Sequence, residues 1–325
     1  MSVSKVLITG ATGGLGGALL REAGARGWSI KATGRSALHD ASVEFIPADL
    51  AAPAADLAPL VEGCDTVIHA AALSASWGSA EAFERANVLA TQRLLAAAQA
   101  AGVARFTFVS SPSIFARLRD QVGITEATPP AEPALNHYAR TKLAAERMVL
   151  AAASDGFATC AIRPRALVGE GDRVIMPRLI EIAQRPRVPF PRGGRALIEM
   201  TDLRDVAWAV CEAAERCAAT SGKAVNISGG KPMPVAQVAQ AVADAIGTSP
   251  KLVDLPVPVA TALATVLEFG ARAFRSGKEP PITRYTLSTM AYSQTFDLAG
   301  AKAMLGYEPR YDALETLLAE VRKTL

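Results

Sequence analysis

A tyrosine and a lysine lie four residues apart in the run Tyr138-Ala-Arg-Thr-Lys142. On a helix, side chains at this spacing project from one face toward the same point. An unperturbed phenol has a pKa of about 10, and a neighbouring ammonium lowers that pKa because it favours the phenolate. The spacing therefore indicates a proton donor beside a group that tunes it, as general acid/base catalysis requires, although an ordinary surface helix can carry the same pair.

A second pattern lies near the N-terminus, where the apolar run Lys5–Thr9 predicts a short buried strand. A glycine-rich turn with the spacing G-x-x-G-x-x-G follows, and a helical pattern begins immediately after it. Glycines at such a junction let the chain turn tightly and let backbone N–H groups approach a pyrophosphate at the helix N-terminus. The turn therefore predicts a dinucleotide site formed by Gly10, Thr12, Gly13, Gly14, Leu15 and Gly16.

Short runs rich in β-branched residues alternate with alanine-rich helical patterns along the first half of the chain. The strand candidates are residues 5–9, 29–33, 43–46, 66–70, 106–110 and 158–162, and helical patterns such as 81–101 and 135–153 separate them. This alternation predicts an α/β fold of the Rossmann type, a doubly wound parallel sheet with helices on both faces. Ligands of such sheets bind beyond the carboxyl ends of the strands.

The regular alternation ends near Arg163, where proline- and glycine-rich loops begin to interrupt the chain. We therefore assign residues 1–165 to a dinucleotide-binding domain, to which residues 201–229 return. The returning part carries late sheet elements near 202–214 and 224–228. Residues 166–200 and 230–325 are assigned to a smaller, interleaved C-terminal region that binds the substrate.

The composition is that of a globular protein with a sizeable apolar core, since half of the 325 residues are hydrophobic. The formal net charge of +3 is small and the basic residues are scattered, so nucleic acid is not an expected partner. The cysteines, Cys64, Cys160, Cys211 and Cys217, lack metal-binding spacing, so we expect neither a metal site nor a disulfide framework. Free thiols are typical of a reducing cytoplasm, which is the location we predict.

The sequence predicts no cleavable signal peptide, because the apolar run at residues 6–8 is short and glycines follow it. Residues 255–274 are the other candidate membrane segment, but two prolines and two charges interrupt them, so they fall short of a membrane span. An amphipathic helix on a membrane surface is an alternative that we do not favour. We predict instead that residues 257–274 form a wall of an apolar substrate pocket.

The glycine turn and the Tyr-x-x-x-Lys pair together resemble the short-chain dehydrogenase/reductase superfamily, and the chain length resembles its extended branch. Further landmarks of that family follow in the expected order: Asp49-Leu50, His69-Ala70-Ala71-Ala72, Asn87-Val88, Ser110-Ser111 and Arg163-Pro164. The resemblance spans nearly the whole chain. It implies that Asp49 binds the adenine amino group and that the cofactor also contacts Leu50, Ala70, Ala71, Ala72 and Pro164.

The resemblance also implies roles for three side chains. Tyr138 would pass a proton to or from the substrate oxygen while hydride moves at the nicotinamide. Lys142 would bridge the ribose hydroxyls of the cofactor and lower the tyrosine pKa. A serine at the end of the fifth strand would polarise the substrate oxygen, and alignment with the family favours Ser111, with Ser113 second and Ser110 still open.

The choice between NAD(H) and NADP(H) usually depends on an acidic residue at the end of the second strand, which binds the ribose hydroxyls of NAD. This chain has Arg35 and Ser36 there instead. An arginine and a hydroxyl without a carboxylate suit a dianionic phosphate, so we predict NADP(H) over NAD(H). The alternative is that Arg35 is a solvated loop charge and that Asp40 reaches the ribose.

The substrate is indicated by two missing features and one further resemblance. Pro112-Ser113 replaces the acid pair that the family's dehydratases need, and residues 163–169 lack the asparagine of its sugar-nucleotide binders. C-terminal segments resemble the 3β-hydroxysteroid dehydrogenase-like branch, which includes bacterial reductases of 2-alkyl-3-oxoalkanoates. We therefore expect an oxidoreductase that interconverts a ketone and a secondary alcohol on a largely apolar substrate, either a 3-oxo or 3-hydroxy acid or a sterol-like molecule.

Several alternatives stay open from the sequence. One is a nucleotide-sugar epimerase with a tightly bound cofactor, and another is a non-catalytic NAD(P)-binding sensor. The presence of Tyr138 argues against the sensor.

The habit of the family implies a homodimer formed through the helices at 81–101 and 135–153. Arg165 and Asp172 either meet an acidic group of the substrate or pair with each other.

Overall fold

The structure is a computed structural model of the chain, and it describes residues 2–38, 40–274 and 278–325. The strands are β1 (Lys5–Thr9), β2 (Ser29–Gly34), β3 (Glu44–Pro47), β4 (Thr66–His69), β5 (Arg105–Val109), β6 (Gln121–Ile124), β7 (Ala158–Pro164), β8 (Leu167–Val168), β9 (Arg187–Pro191), β10 (Leu197–Ile198), β11 (Thr201–Asp202), β12 (Lys223–Ile227), β13 (Met233–Pro234), β14 (Lys251–Leu255) and β15 (Gln294–Phe296). The α-helices are α1 (Gly14–Ala25), α2 (Ala58–Val61), α3 (Ala80–Phe83), α4 (Ala90–Ala100), α5 (His137–Ala151), α6 (Ile175–Ala183), α7 (Leu203–Glu215), α8 (Val235–Ala245), α9 (Val257–Ala273), α10 (Arg284–Ala291), α11 (Ala299–Leu305) and α12 (Ala313–Arg322). A π-helical segment lies at Glu84–Leu89, and 3₁₀ segments lie at Pro112–Phe115 and Arg192–Gly194.

The centre of the fold is a parallel sheet with the order β12-β7-β5-β4-β1-β2-β3, seven strands within the described ranges. Strand β1 lies between β2 and β4, with Thr9 paired to Thr33 on one side and to His69 on the other. The carboxyl ends of these strands therefore open at one edge of the sheet, where ligands of doubly wound sheets bind. The predicted Rossmann-type α/β fold is confirmed.

Helices cover both faces of this sheet. Successive side chains of a strand point to opposite faces, so Ile8 packs into a core with Leu19 of α1 and Val206 of α7. Its neighbour Leu7 packs into a core on the other face, which includes Leu94 of α4. Burial on both faces explains why the central strands are continuous apolar runs instead of alternating ones.

The six strands predicted from the sequence are present, each within two residues of the expected bounds. Residues 202–214, predicted as a late sheet element, form instead the helix α7 after the short strand β11. Asp202 caps this helix by accepting the Arg204 N–H at 2.8 Å. Buried Val206, Val210 and Ala213 recur at helical spacing, which the sequence interpretation overlooked. The proposed division into two regions remains a prediction.

The predicted helix at 81–101 is interrupted by the π-helical segment between α3 and α4. Asn87 lies in this segment, where its Oδ1 accepts the Leu73 N–H at 2.8 Å. Its Nδ2 donates to Thr141 Oγ1 at 3.2 Å. Single π-helical turns are frequent at functional sites, and here the turn lets Asn87 connect the loop after β4 to helix α5.

Helix α5 carries the Tyr-x-x-x-Lys pair and is anchored to the sheet by a buried ion pair. Glu146, one turn after Lys142, is 2 % exposed and lies against Arg163 of β7. The guanidinium Nε and Nη2 of Arg163 donate to the two carboxylate oxygens at 2.9 and 2.6 Å. A bidentate contact of this kind fixes both the distance and the rotation of the helix relative to the strand.

Helix α9 contradicts one expectation, because none of residues 257–274 lines the cavity described below. Val259, Val266 and Phe269 are 54 %, 68 % and 74 % exposed. Ala264 and Glu268 are buried, and Glu268 accepts the Arg284 N–H of α10 at 2.6 Å. Large apolar side chains that the sequence assigned to a pocket wall, such as Val266 and Phe269, therefore lie on the surface. In the described ranges no helix combines the length and the apolar character needed to cross a bilayer.

We predict that Glu146→Ala lowers the free energy of unfolding by about 3–5 kcal/mol, because it leaves the Arg163 charge buried and unpaired. The matched control is Glu132→Ala, which removes an exposed partner of Arg147 from a pair whose side chains are 62 % and 60 % exposed. That change should cost less than about 1 kcal/mol. Urea unfolding at pH 7 measures both variants, and equal losses would contradict the anchoring role.

Candidate active site

A cavity of about 960 Å³ opens at the carboxyl ends of the central strands. Every site residue predicted from the sequence lines it: Gly10, Thr12, Gly13, Gly14, Leu15, Gly16, Arg35, Ser36, Asp49, Leu50, Ala70, Ala71, Ala72, Ser111, Tyr138, Lys142 and Pro164. They belong to the end of β7, to turns that follow other strands, and to helices α1 and α5. The parallel sheet therefore brings segments that are distant in sequence to one crevice.

Three glycines of the turn are required by the protein itself. Gly10 has a φ of +71°, a conformation that glycine adopts more readily than other residues. A Cβ at Gly16 would lie 2.1 Å from the Gly10 carbonyl oxygen, and a Cβ at Gly14 would lie 2.7 Å from the Gly171 carbonyl oxygen. Close approach of backbones explains these positions without any ligand.

Gly13 is different, because the protein leaves room for a side chain there. The nearest described atom to a Cβ at Gly13 is the Gly10 carbonyl oxygen at 3.4 Å, an ordinary contact. Its φ of −88° is open to any residue. Gly13 is nevertheless the N-cap of α1 and lines the cavity. Open space beside a helix N-terminus fits an anionic pyrophosphate, so the residues present fit a dinucleotide.

His69 ends β4 and supports the cavity wall. Thr9 Oγ1 contacts its Nδ1 at 2.8 Å, and Thr91 Oγ1 contacts its Nε2 at 2.9 Å. Burial, together with the Lys142 ammonium, lowers the pKa of His69 to about 3, so the ring is neutral. Thr9 Oγ1 also accepts the Ala71 N–H at 3.1 Å, and this buried network fixes the loop after β4.

Tyr138 lies in the first turn of α5, which Asn136 caps by accepting the Ala139 N–H at 2.8 Å. The hydroxyls of Ser111 and Ser74 lie near enough to the phenol to lower its pKa through hydrogen bonding. Burial raises the pKa of Tyr138 and outweighs these two hydrogen bonds, which lower it. The phenol pKa is therefore above its ordinary value, and the predicted lowering is wrong because desolvation of the phenolate dominates.

Lys142 is directed at the sheet. Its side chain is 3 % exposed, Nζ donates to the Val109 carbonyl oxygen at 2.5 Å, and the same atom lies 4.1 Å from the centroid of the Phe108 ring. Burial lowers the pKa of Lys142 to about 7, although the Glu146 carboxylate opposes this shift. The amine thus holds the end of β5, while the Tyr138 phenol has serine hydroxyls as partners.

The candidate serines occupy different environments. Ser111 Oγ accepts the Ser113 N–H at 3.2 Å and lies near enough to the Tyr138 phenol to lower its pKa. The Oγ atoms of Ser110 and Ser113 are buried and have no hydrogen-bond partner among the described residues. Ser74, in the loop after β4, is a further contact of the phenol that the sequence interpretation missed, because no local pattern distinguishes it from other loop serines.

The end of β2 presents a cation and a hydroxyl to the cavity. Arg35 and Ser36 are exposed and lie in its lining. Asp40 is outside the lining, and its Oδ1 accepts the N–H and the hydroxyl of Ser42 at 2.9 and 2.5 Å. The alternative in which Asp40 reaches the ribose would therefore require it to leave these contacts.

The far part of the cavity is apolar. Its lining includes Ile175, Leu179 and Ile182 of α6, Phe190 of β9, Ile198 of β10, Val235 and Val238 of α8, and Met290 of α10. The sequence interpretation missed this set because its members come from five separate elements. Arg165 and Tyr285 add polar groups to the same lining.

The parallel sheet, the glycine turn and the Tyr-Lys pair together define a nicotinamide dinucleotide-binding enzyme of the extended short-chain dehydrogenase/reductase class. Residues 6–228 match the NAD dependent epimerase/dehydratase family, and the chain belongs to that family. The predicted class, an NAD(P)-dependent oxidoreductase of the extended short-chain type, is confirmed.

Two curated relatives and a solved structure are similar along nearly the whole chain. The first is Uncharacterized protein YbjS of Escherichia coli (strain K12), 33 % identical, with 94 % of this chain and 93 % of that protein covered. The second is 2-alkyl-3-oxoalkanoate reductase of Stenotrophomonas maltophilia (strain K279a), 34 % identical, with 96 % and 97 % covered. The structure of MoeE5 in complex with UDP-glucose and NAD is 28 % identical, covers 99 % of both chains and has a TM-score of 0.77.

We predict that Gly13→Ala weakens binding of the nicotinamide cofactor at least tenfold, since the added methyl occupies the space where phosphate oxygens approach the helix N-terminus. Its effect on the free energy of unfolding should stay below about 1 kcal/mol. The control is Gly24→Ala in the same helix, where a Cβ meets nothing within 4 Å; it should keep cofactor affinity. Titration calorimetry with NADPH and NADH measures both, and unchanged affinity in Gly13→Ala would contradict the assignment.

Proposed function

We propose that the protein interconverts a ketone and a secondary alcohol on a largely apolar substrate, with Tyr138 as the general acid/base. The observation that carries this proposal is the position of the Tyr138 phenol. The phenol lies near the Ser111 hydroxyl, in a cavity that joins the glycine turn to an apolar lining. A proton-transfer group between a dinucleotide site and an apolar pocket suits a redox reaction of a carbonyl compound.

In the reduction, Tyr138 Oη donates its proton to the substrate oxygen as the carbonyl carbon becomes that of an alcohol. A nicotinamide cofactor held by the glycine turn would supply the hydride in this direction and accept it in the other. Ser111 Oγ donates a hydrogen bond to the same oxygen, and Ser74 orients the phenol. Burial favours the protonated phenol, so Tyr138 is ready to act as an acid at neutral pH. Lys142 and Pro164 would hold the nicotinamide end of the cofactor.

The apolar lining also supports this substrate class over a nucleotide sugar. Side chains of α6, α8 and α10 would surround an alkyl chain or a sterol-like ring system. The name of the Stenotrophomonas relative agrees with a 3-oxo acid. An epimerase that retains its cofactor is the second candidate, favoured by the similarity to MoeE5 bound to UDP-glucose. Inversion of a UDP-sugar without net oxidation would support that candidate.

We predict that Tyr138→Phe lowers kcat/KM about 100- to 10,000-fold, because a positioned proton donor contributes a factor of that size. The assay follows NADPH absorbance with long-chain 3-oxo acids, sterol ketones and sugar nucleotides as substrates. Tyr311→Phe is the control, since Tyr311 lies outside the cavity lining; it should match the wild type. Turnover of Tyr138→Phe within a few-fold of the wild type, at equal cofactor affinity, would exclude the proposed mechanism.

We propose NADP(H) as the preferred cofactor, with NAD(H) as the alternative. Two observations support this choice. Arg35 and Ser36 are exposed at the end of β2, and Asp40 accepts hydrogen bonds from Ser42 instead of lining the cavity. A guanidinium and a hydroxyl can both donate to a 2′-phosphate, whereas a ribose diol would favour a carboxylate.

Arg35→Ser should raise the KM for NADPH about 10- to 100-fold and leave the KM for NADH within about twofold, since only NADPH carries the phosphate. Arg216→Ser removes the same charge from an exposed site paired with Glu212 and is the control. Initial rates with each cofactor measure the effect. A parallel rise of both KM values would show that Arg35 does not read the phosphate.

We further propose that residues 166–200 and 230–325 form the substrate-binding region, since the apolar lining of the cavity comes mainly from them. A homodimer through the surfaces of α4 and α5 and a reducing, cytoplasmic location are proposed from family habit and from the buried free thiols. Membrane contact through the exposed face of α9 is the less favoured alternative.

A further inference from the structure

Arg165 is a buried cation that faces the substrate part of the cavity. Its side chain follows β7, lines the cavity and is 8 % exposed. The Nε atom is buried and has no hydrogen-bond partner among the described residues, and no described carboxylate lies within 4.0 Å of the guanidinium. Because an arginine stays charged and an unpaired buried charge is costly, an anion bound beside Arg165 would stabilise the site.

Glu199, a carboxylate within electrostatic range of Arg165, forms its hydrogen bonds with other groups. Glu199 accepts the Ser228 hydroxyl and the Phe296 N–H, the latter at 3.3 Å. Burial raises the pKa of Glu199, although its two hydrogen bonds and the Arg165 charge oppose this shift. Asp172, the other expected partner, accepts the Val174 and Met176 N–H groups, each at 2.8 Å, at the start of α6. The predicted pairing of Arg165 with Asp172 is therefore not formed.

The backbone holds Arg165 rigidly in this position. Its N–H donates to the Ile227 carbonyl oxygen at 2.8 Å, and its carbonyl oxygen accepts the Thr201 hydroxyl. The next residue, Ala166, has a φ of +39°, a conformation that alanine rarely adopts. Such strain persists only where the surroundings enforce it, and it clusters at ligand sites.

Tyr285 connects this cation to the proposed catalytic residue. It lies in the cavity lining, and its phenol is within electrostatic range of both Arg165 and Tyr138. Arg178, also in the lining, is paired with Glu279 at 3.1 Å and adds no net charge. Among the described residues, Arg165 thus presents to the cavity a buried positive charge that forms no ion pair, and Tyr285 lies within electrostatic range of both this charge and Tyr138.

We propose that Arg165, assisted by the Tyr285 hydroxyl, binds a carboxylate of the substrate beside the carbon that reacts at Tyr138. The substrate class is then a 3-oxo or 3-hydroxy acid with an apolar chain, and a neutral sterol ketone is excluded. This inference rests on the proposed function. One unpaired cation matches a single negative charge, whereas a diphosphate would need more than one. The apolar lining of α6 and α8 accommodates the chain.

The test compares oxidation of 3-hydroxydecanoic acid with oxidation of its methyl ester, which differs only in the charge. The wild type should have a kcat/KM about 10- to 100-fold higher for the acid, and Arg165→Gln should remove that preference while keeping the ester rate within about threefold. Arg165→Lys should keep part of the preference for the acid over the ester. Arg195→Gln, a loss of the same charge at an exposed site outside the lining, should behave as the wild type.

A binding measurement separates this inference from the proposed reaction. Decanoate should raise the Tm of the wild type and of Arg195→Gln and leave that of Arg165→Gln unchanged, while 1-decanol should act equally on all three. Equal use of acid and ester by the wild type, or equal protection by decanoate and decanol, would overturn the carboxylate site. Protection by a UDP-sugar that depends on Arg165 would overturn it in favour of a phosphate. Absence of turnover with Arg165-dependent decanoate binding would refute only the proposed function.

Discussion

The burial of two charged side chains, Lys142 and Glu146, on one helix is the constraint on which the site depends. Each charge loses water on folding, and each is compensated at the end of a strand: Lys142 by the Val109 carbonyl oxygen and Glu146 by Arg163. Because these two contacts are one turn apart, they fix both the position and the rotation of α5 against the sheet. Tyr138, a further turn toward the N-terminus, is thereby placed at the mouth of the crevice.

The site was predictable from the sequence where chemistry and local geometry coincide. The glycine spacing follows from a tight turn between a strand and a helix, and the Tyr-Lys spacing follows from the helix period. Parallel strand ends meet at one edge, so residues after separate strands could be grouped without knowing any contact. Ser111 was distinguishable from Ser110 and Ser113 only by analogy, and of these three serines Ser111 is the one that acts on the Tyr138 pKa.

What the sequence could not predict depends on long-range packing. The apolar lining is assembled from α6, α8 and α10, whereas the more apolar α9 lies outside because only one of its faces packs against α10. The direction of the Tyr138 pKa was misjudged for the same reason, since spacing indicates the neighbouring charge but not the degree of burial. The sequence likewise could not show that Arg165 Nε lacks a hydrogen-bond partner, because this depends on Glu199 forming its hydrogen bonds with other groups.

The contact between Gly14 and Gly171 joins the start of α1 to the loop that leads into α6. A side chain at position 14 would collide with the opposing carbonyl oxygen, and a Cβ at position 171 would lie 3.2 Å from Gly14 Cα, with φ already at +80°. A substitution at Gly14 or at Gly171 therefore requires a compensating change at the other segment. Among homologous sequences, a larger residue at 14 should therefore occur together with a shortened or redirected loop at 169–172, so that the two halves of the binding cleft evolve as a coupled pair.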